Sequence, residues 1–224
     1  MPKDPPEPPQ WLRLKETLSA CRYCETRGLI PQARPIFQLP VTARIGVFSQ
    51  APGNLAHQGG KPFLDPSGDR LRRWMGLTED QFYGSGLIAI VPMAFCFPGY
   101  DGTGPTGRGG DRPPPRICAE KWRNEIMAMI DDRLEIVLLI GRYAQEWHLG
   151  KSAARRLSDA VGQWPSHFAD ADRGGELILP MPHPSWRNTA WLKRHPWFEA
   201  EVIPRLQRRI ADVFAAAGQP LTAR

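Results

Sequence analysis

The stretch from Arg44 to Leu71, RIGVFSQAPGNLAHQGGKPFLDPSGDRL, constrains this chain more than any other. It opens with a short apolar run, Ile45 to Phe48, long enough for a buried strand. Gln50-Ala51-Pro52-Gly53 then ends the strand, because Pro offers no N–H to a ladder and Gly frees the backbone to turn. The loop that follows carries His57, the pair Gly59-Gly60, Phe63, Asp65 and Asp69. A helix is expected from near Ser67, with Leu71, Trp74 and Leu77 on one face at helical spacing. Open α/β sheets hold ligands at such strand–loop–helix junctions, outside the carboxyl ends of the strands. The same pattern also fits an ordinary strand–helix connection with solvated charges.

Three further apolar runs read as strands: Leu87 to Met93, Leu134 to Ile140 and Leu177 to Met181. The uninterrupted LEIVLLI run implies burial on both faces. Helical patterns lie between and around them, at Trp11–Ala20, Glu120–Ile130, from Gly141 through Ala144 and Trp147, and at about Phe198–Ala217. Strands alternating with helices predict an α/β fold, a three-layer α/β/α sandwich with a mostly parallel central sheet. A length of 224 residues suffices for one domain with a full core, expected over residues 11–218 behind a disordered Pro-rich tail at 1–10. The Gly-, Pro- and Arg-rich segment from Phe97 to Ile117 is of the length that is functional or disordered in compact domains.

The net charge of +6 favours acidic partners such as nucleic acid. No run approaches a transmembrane span, and MPKDPPEPPQ has no apolar core of a secretory signal, so a cytoplasmic monomer without membrane contact is expected. In a reducing compartment the four cysteines, Cys21, Cys24, Cys96 and Cys118, are thiols or metal ligands rather than disulfides. Cys21 and Cys24 form a Cys-x-x-Cys, Cys96 follows the second strand, and Cys118 opens the next helix. Four thiolates suit a tetrahedral metal or an iron–sulfur cluster, and soft ligands alone do not choose between zinc and [4Fe–4S]. Four unrelated buried thiols are the alternative.

A third constellation, His183-Pro184-Ser185, follows the fourth strand and leads into WRNTAWLKRHPWF. Parallel strands would bring it to the same sheet edge as the first loop. Trp186, Arg187, Trp191, Lys193 and Arg194 interleave aromatics with cations as nucleic-acid surfaces do, while Trp197 and Phe198 read as core residues opening the last helix.

Taken together, these residues resemble the uracil-DNA glycosylase superfamily, especially its iron–sulfur branches, families four and five. The first family-four motif has its counterpart in Ser49-Gln50-Ala51-Pro52-Gly53, Gly60-Lys61-Pro62-Phe63 and Ser67-Gly68, and the second in His183-Pro184-Ser185. The four cysteines fall in the family's order, and the resemblance covers about residues 15 to 210. Two departures stand out. Family four has a carboxylate where this chain has Gln50, an amide that can position water but cannot accept its proton. It also has a uracil-reading Asn where this chain has Pro92. His57 and the Asp65-Pro66-Ser67-Gly68-Asp69 turn resemble family five instead.

The resemblance implies a monofunctional DNA glycosylase acting on DNA that contains a damaged base, with a [4Fe–4S] cluster on Cys21, Cys24, Cys96 and Cys118 and zinc as the lesser possibility. Phe63 would stack on the flipped base, within a substrate site formed with Ala51, Pro52, Gly53, His57, Ser185 and Arg187. His183 would stabilise charge on the leaving base, and Asp65 or Asp69 would orient water, with Gln50 as a further candidate. Arg108, Arg112 and Arg116 would meet phosphates. Two other classes fit the same residues: a DNA-binding or lesion-sensing member with altered catalysis, and an unrelated redox or metal-binding protein.

Overall fold

Four parallel strands, β1 (Ile45–Phe48), β2 (Ile88–Ile90), β3 (Ile136–Ile140) and β4 (Leu177–Met181), form one sheet in the order β2-β1-β3-β4. The structure, a computed structural model, describes residues 6–102, 110–152 and 156–221. Among them are ten α-helices, α1 (Pro9–Ser19), α2 (Asn54–Gly59), α3 (Pro66–Met75), α4 (Glu79–Gly84), α5 (Arg116–Ile130), α6 (Arg142–Leu149), α7 (Leu157–Gly162), α8 (Trp164–Asp172), α9 (Thr189–Arg194) and α10 (Ile203–Ala216).

Period-two alternation along the strands divides the core in two. Ile45, Val47, Ile136, Leu138, Ile140, Leu177 and Leu179 face a cluster completed by Leu71 and Trp74 of α3, Phe168 of α8 and Leu206 and Ile210 of α10. Phe48, Val137 and Leu139 face the opposite cluster, completed by Trp11 and Leu14 of α1, Trp122 and Ile126 of α5 and Ala144 of α6. Helices therefore cover both faces, and the expected three-layer α/β/α sandwich is the fold of this chain. Among the described residues no helix is long and apolar enough to cross a membrane.

Register brings the strands to a common edge. Ile45 pairs with both Ile88 and Ile136, and Ile136 pairs with Leu177, so the four strands start in one row. Gln50, Pro92, Gly141 and His183 consequently lie just beyond the carboxyl ends of β1 to β4 in turn.

The expected boundaries of β1 and β4 agree with those observed, and other boundaries move for local reasons. The second strand stops at Ile90 because Pro92 has no N–H, although Val91 and Met93 still donate to the carbonyls of Val47 and Ser49 at 3.0 and 2.8 Å. The first helix begins at Pro9 rather than Trp11, with proline where a missing N–H costs nothing, so the tail expected at 1–10 gives up its last residues to α1. Residues 1–5 of that tail lie outside the described residues. The helix expected from Glu120 begins at Arg116, which places Cys118 in its first turn. The helix expected near Ser67 begins at Pro66, capped by Asp65. The short α2 occupies part of the first loop, and α7 and α8 fill a stretch that showed no clear period.

The interior position of β3 has a measurable consequence. Leu138 is fully buried in the sheet, whereas Leu12 on α1 is 44 % exposed. Leu138→Ala should lower the unfolding free energy by about 2–5 kcal/mol, and Leu12→Ala should change it by less than about 0.5 kcal/mol. Urea titration followed by tryptophan fluorescence measures both.

Candidate active site

A cavity of about 580 Å³ opens at the carboxyl edge of the sheet. Gln50, Ala51, Pro52, Gly53, Phe63, Asp65, His183, Ser185 and Arg187 all line it, together with Pro92, Asp111 and Tyr143. Gly141 sits between the two loops at its floor. A Cβ built there would lie 3.5 Å from both Gln50 Cγ and His183 Cβ, and the glycine's φ of +79° is one that side chains rarely adopt. The strand-end glycine thus lets the β1 and β4 loops close on each other.

The first loop holds Phe63 in a strained state. Phe63 has a φ of 56°, the one positive value among the described non-glycine residues. Its carbonyl is clamped from two sides, by Tyr83 Oη at 3.3 Å and Arg72 Nη1 at 3.4 Å. Gly68 permits this, because a Cβ there would stand 1.8 Å from the Phe63 oxygen. Asp65 caps α3, its Oδ1 accepting from the Gly68 N–H at 2.8 Å. One oxygen of Asp65 is therefore committed to the helix, while Oδ2 lies 3.9 Å from a Cβ built on Gly53.

His183 is tethered through its carbonyl, which accepts from Asn188 Nδ2 at 2.8 Å. Arg70 of α3 donates to the Ser185 carbonyl at 3.2 Å and ties the two site loops together. The His183 residue keeps part of its surface open to the cavity, yet the surrounding protein removes enough water to push its pKa down to about 4. At neutral pH the imidazole is therefore uncharged, able to donate one N–H and accept at its other nitrogen.

Asp111 is the member of the site that sequence reasoning missed. Nothing periodic surrounds it in GRGGDRPPP, and its place became visible only through tertiary pairing. Asp101 N–H donates to the Gly110 carbonyl at 2.7 Å and Arg112 N–H to the Gly99 carbonyl at 2.9 Å, with Tyr100 and Asp111 facing each other across this neck. The neck projects the Asp111 carboxylate over Gly53, its Oδ2 3.7 Å from a Cβ built there. Arg187 lies directly against Gly110, where a Cβ would come within 2.3 Å of Nη1. Burial raises the Asp111 pKa, Arg187 opposes that, and Asp65 adds to it.

Other expected site residues lie elsewhere. His57 does not line the cavity; its Nε2 pairs with Gln32 Oε1 at 3.0 Å, and its ring lies 5.9 Å from that of Phe97. Asp69 faces along α3 to Arg72 at 2.5 Å, the one-turn pairing that helical geometry favours, and is also outside the cavity. Arg112 lines the cavity mouth, Arg116 pairs with Glu120 at 2.9 Å, and Arg108 lies outside the described residues. Trp186 stands at the rim, 77 % exposed, beside Arg187.

The four cysteines come together on the other side of the β2 loop. Cys21, Cys24, Cys96 and Cys118 line one small cavity of about 20 Å³ with Leu18, Ile30 and Trp122. A hydrogen bond with Cys118 holds Cys24 down to about 7 and raises Cys118, and burial pushes Cys96 up to about 11. Among the described residues no group of three or more His, Cys, Asp or Glu is arranged to hold a metal ion. Beside this cavity Arg123 is 2 % exposed. Its Nη2 donates to the Val91 carbonyl at 3.1 Å and to Met93 Sδ at 2.9 Å, its guanidinium stacks 4.8 Å from the Phe48 ring, and Nη1 has no partner. None of these partners is an anion, and the charge that favours its protonated form is that of Cys118. A buried cation of this kind fits an anionic centre on the thiols.

A three-layer α/β/α sandwich thus brings a histidine, a strained aromatic and two carboxylates to one cavity at its carboxyl edge. A family model for the uracil DNA glycosylase superfamily matches residues 36–207, from just before β1 into α10. The chain belongs to that superfamily.

The His183 environment predicts a pH effect on stability. An unfolded histidine takes up its proton near pH 6.5, but His183 in the fold does so only near pH 4. Between these values the unfolded state binds more protons, so stability falls as pH drops through that window and is unaffected by this group above it. His148, also pushed down to about 4 by burial, acts in the same direction. His183→Gln should flatten, without abolishing, the fall of Tm between pH 6.5 and 4, as read by calorimetry.

Proposed function

We propose that this protein is a monofunctional DNA glycosylase that excises a deaminated or damaged base, uracil foremost, by hydrolysing the N-glycosidic bond. The observation that carries this reading is the convergence of Phe63, Gln50 and His183 on one cavity whose mouth holds Arg112 and Arg187. A base leaving the duplex needs a π face to stack on, and Phe63 offers one at the cavity wall. The exposed Trp186 beside Arg187 would fill the gap the base leaves.

Cleavage separates an electron-poor sugar from an electron-rich base. The neutral His183 imidazole donates an N–H to the leaving base as negative charge builds there, and being uncharged it requires no proton uptake at pH 7. The carboxylate of Asp65 acts through its field on the sugar cation. Gln50, held at the end of β1 with its carbonyl accepting from the Ala94 N–H at 3.0 Å, positions polar groups of the base or water but takes no proton. Pro92 at the cavity wall offers no hydrogen bond to the base edge, which favours a broader range of bases than strict uracil recognition.

Excision from a panel of modified bases in single- and double-stranded DNA tests this reading. His183→Ala should slow single-turnover excision by about a hundredfold or more, with DNA affinity nearly intact. Affinity should fall steeply as salt rises, and Arg112→Glu should weaken all DNA sequences alike. Binding without excision across the whole panel would instead support a lesion-sensing member, the reading that Gln50 in place of a carboxylate favours.

The same proposal includes a [4Fe–4S] cluster on Cys21, Cys24, Cys96 and Cys118, which would tie the N-terminal helix, the β2 loop and α5 together. Support comes from the shared cavity and from the unpaired Arg123 charge beside it. Purified protein should be brown, with broad visible absorption that chelation and oxidation bleach. Colourless protein carrying one zinc per chain would keep the site and replace the cluster.

A further inference from the structure

We propose that Asp111 is a catalytic residue, the base that accepts a proton from the attacking water and so supplies the carboxylate that position 50 lacks. The inference rests on the glycosylase reading above and concerns which side chain completes that site.

A free carboxylate oxygen can take a proton from water, and the Gln50 amide cannot. Asp65 has one oxygen engaged by the Gly68 N–H at 2.8 Å as the cap of α3 and offers only Oδ2, so it is the less available of the two facing carboxylates. Asp69 faces Arg72 outside the cavity. Asp111 is the other carboxylate on the cavity wall, and among the described residues no side-chain hydrogen bond or ion pair engages either of its oxygens. Its Oδ2 and that of Asp65 lie 3.7 and 3.9 Å from the same point above Gly53, so the two carboxylates face one space. Gly53 keeps that space open.

The neck of the 97–117 segment gives Asp111 a fixed position rather than a free one. Hydrogen bonds on either side of it, at 2.7 and 2.9 Å, pair residues 99–101 with residues 110–112. Arg187, packed on Gly110, brings the cationic partner that two facing carboxylates require. Removal of water raises the Asp111 pKa, with Arg187 opposing and Asp65 adding, which makes its carboxylate a better proton acceptor than a solvated aspartate.

In the proposed step the glycosidic bond breaks with its electron pair leaving on the base, and the water oxygen bonds to the sugar carbon. One water proton passes to Asp111 and the other stays on the new hydroxyl. His183 holds the departing base anion through its N–H. Asp111 later returns its proton to solvent or to the released base. No oxidant or cofactor enters the balance.

The test is single-turnover excision by the intact protein, with DNA affinity measured on the same variants. Asp111→Asn should lose about a hundredfold in rate with affinity unchanged or tighter, because a negative charge near DNA is removed. Asp101→Asn, on the same neck but outside the cavity, should excise at the wild-type rate. Asp111→Glu, which keeps the carboxylate, should retain a measurable part of the activity, and its melting temperature separates chemistry from damage to the neck. Gln50→Asp introduced into Asp111→Asn should recover part of the loss. An Asp111→Asn rate within about threefold of wild type overturns the proposal while leaving the glycosylase reading intact. No recovery in the double variant overturns the claim that the two positions do one job. A wild-type protein that excises nothing overturns both readings together.

Discussion

Strands that start in one row must also finish near one edge, and the site depends on that. Ile45, Ile88, Ile136 and Leu177 stand level across four parallel strands. Because every crossover carries the chain back to the same starting edge, every strand delivers its following loop to the other. Gln50 and His183 are far apart in sequence yet meet across Gly141 for this reason alone. A slip of one residue between β1 and β3 would turn the buried side chains of one strand to the opposite helical layer, so the two cores on either face hold the register that the cavity needs.

Electrostatics divides the cavity by task. Its floor holds an uncharged histidine, kept so by burial. Its mouth holds Arg112, Arg187 and the exposed Trp186, groups suited to a charged strand and stacked rings. Between them Asp65 and Asp111 bring negative charge into a site expected to meet a polyanion. Such charge weakens binding wherever it lies near phosphate, so two carboxylates facing one space beside Gly53 suit a partner other than phosphate. A developing sugar cation is such a partner.

How much of this was legible in the sequence follows from where each signal is local. The continuous apolar runs of β1 and β4 and the long amphipathic face of α10 speak for themselves, since burial alone sets them. The Asp65-Pro66 pair carried a cap-and-first-turn signal whose meaning, one oxygen spent on Gly68, required coordinates. The six-residue helices α2 and α7 are too short to be stable alone and owe their existence to packing, so no periodicity announced them. His57 looked like a site residue through its loop but turns toward Gln32. Asp111 was hidden for the opposite reason: its loop has no period, and only pairing between residues 99–101 and 110–112 carries it to the cavity.

The backbone at Phe63 has a consequence for how such a protein changes over generations. Its φ of 56° is one that glycine adopts without penalty and a phenylalanine does not. A lineage selected only for thermal endurance would drift toward glycine there, gaining a relaxed turn and giving up the aromatic face. A ring in this conformation gives up backbone ease for an aromatic face on the cavity wall, a trade of stability for function.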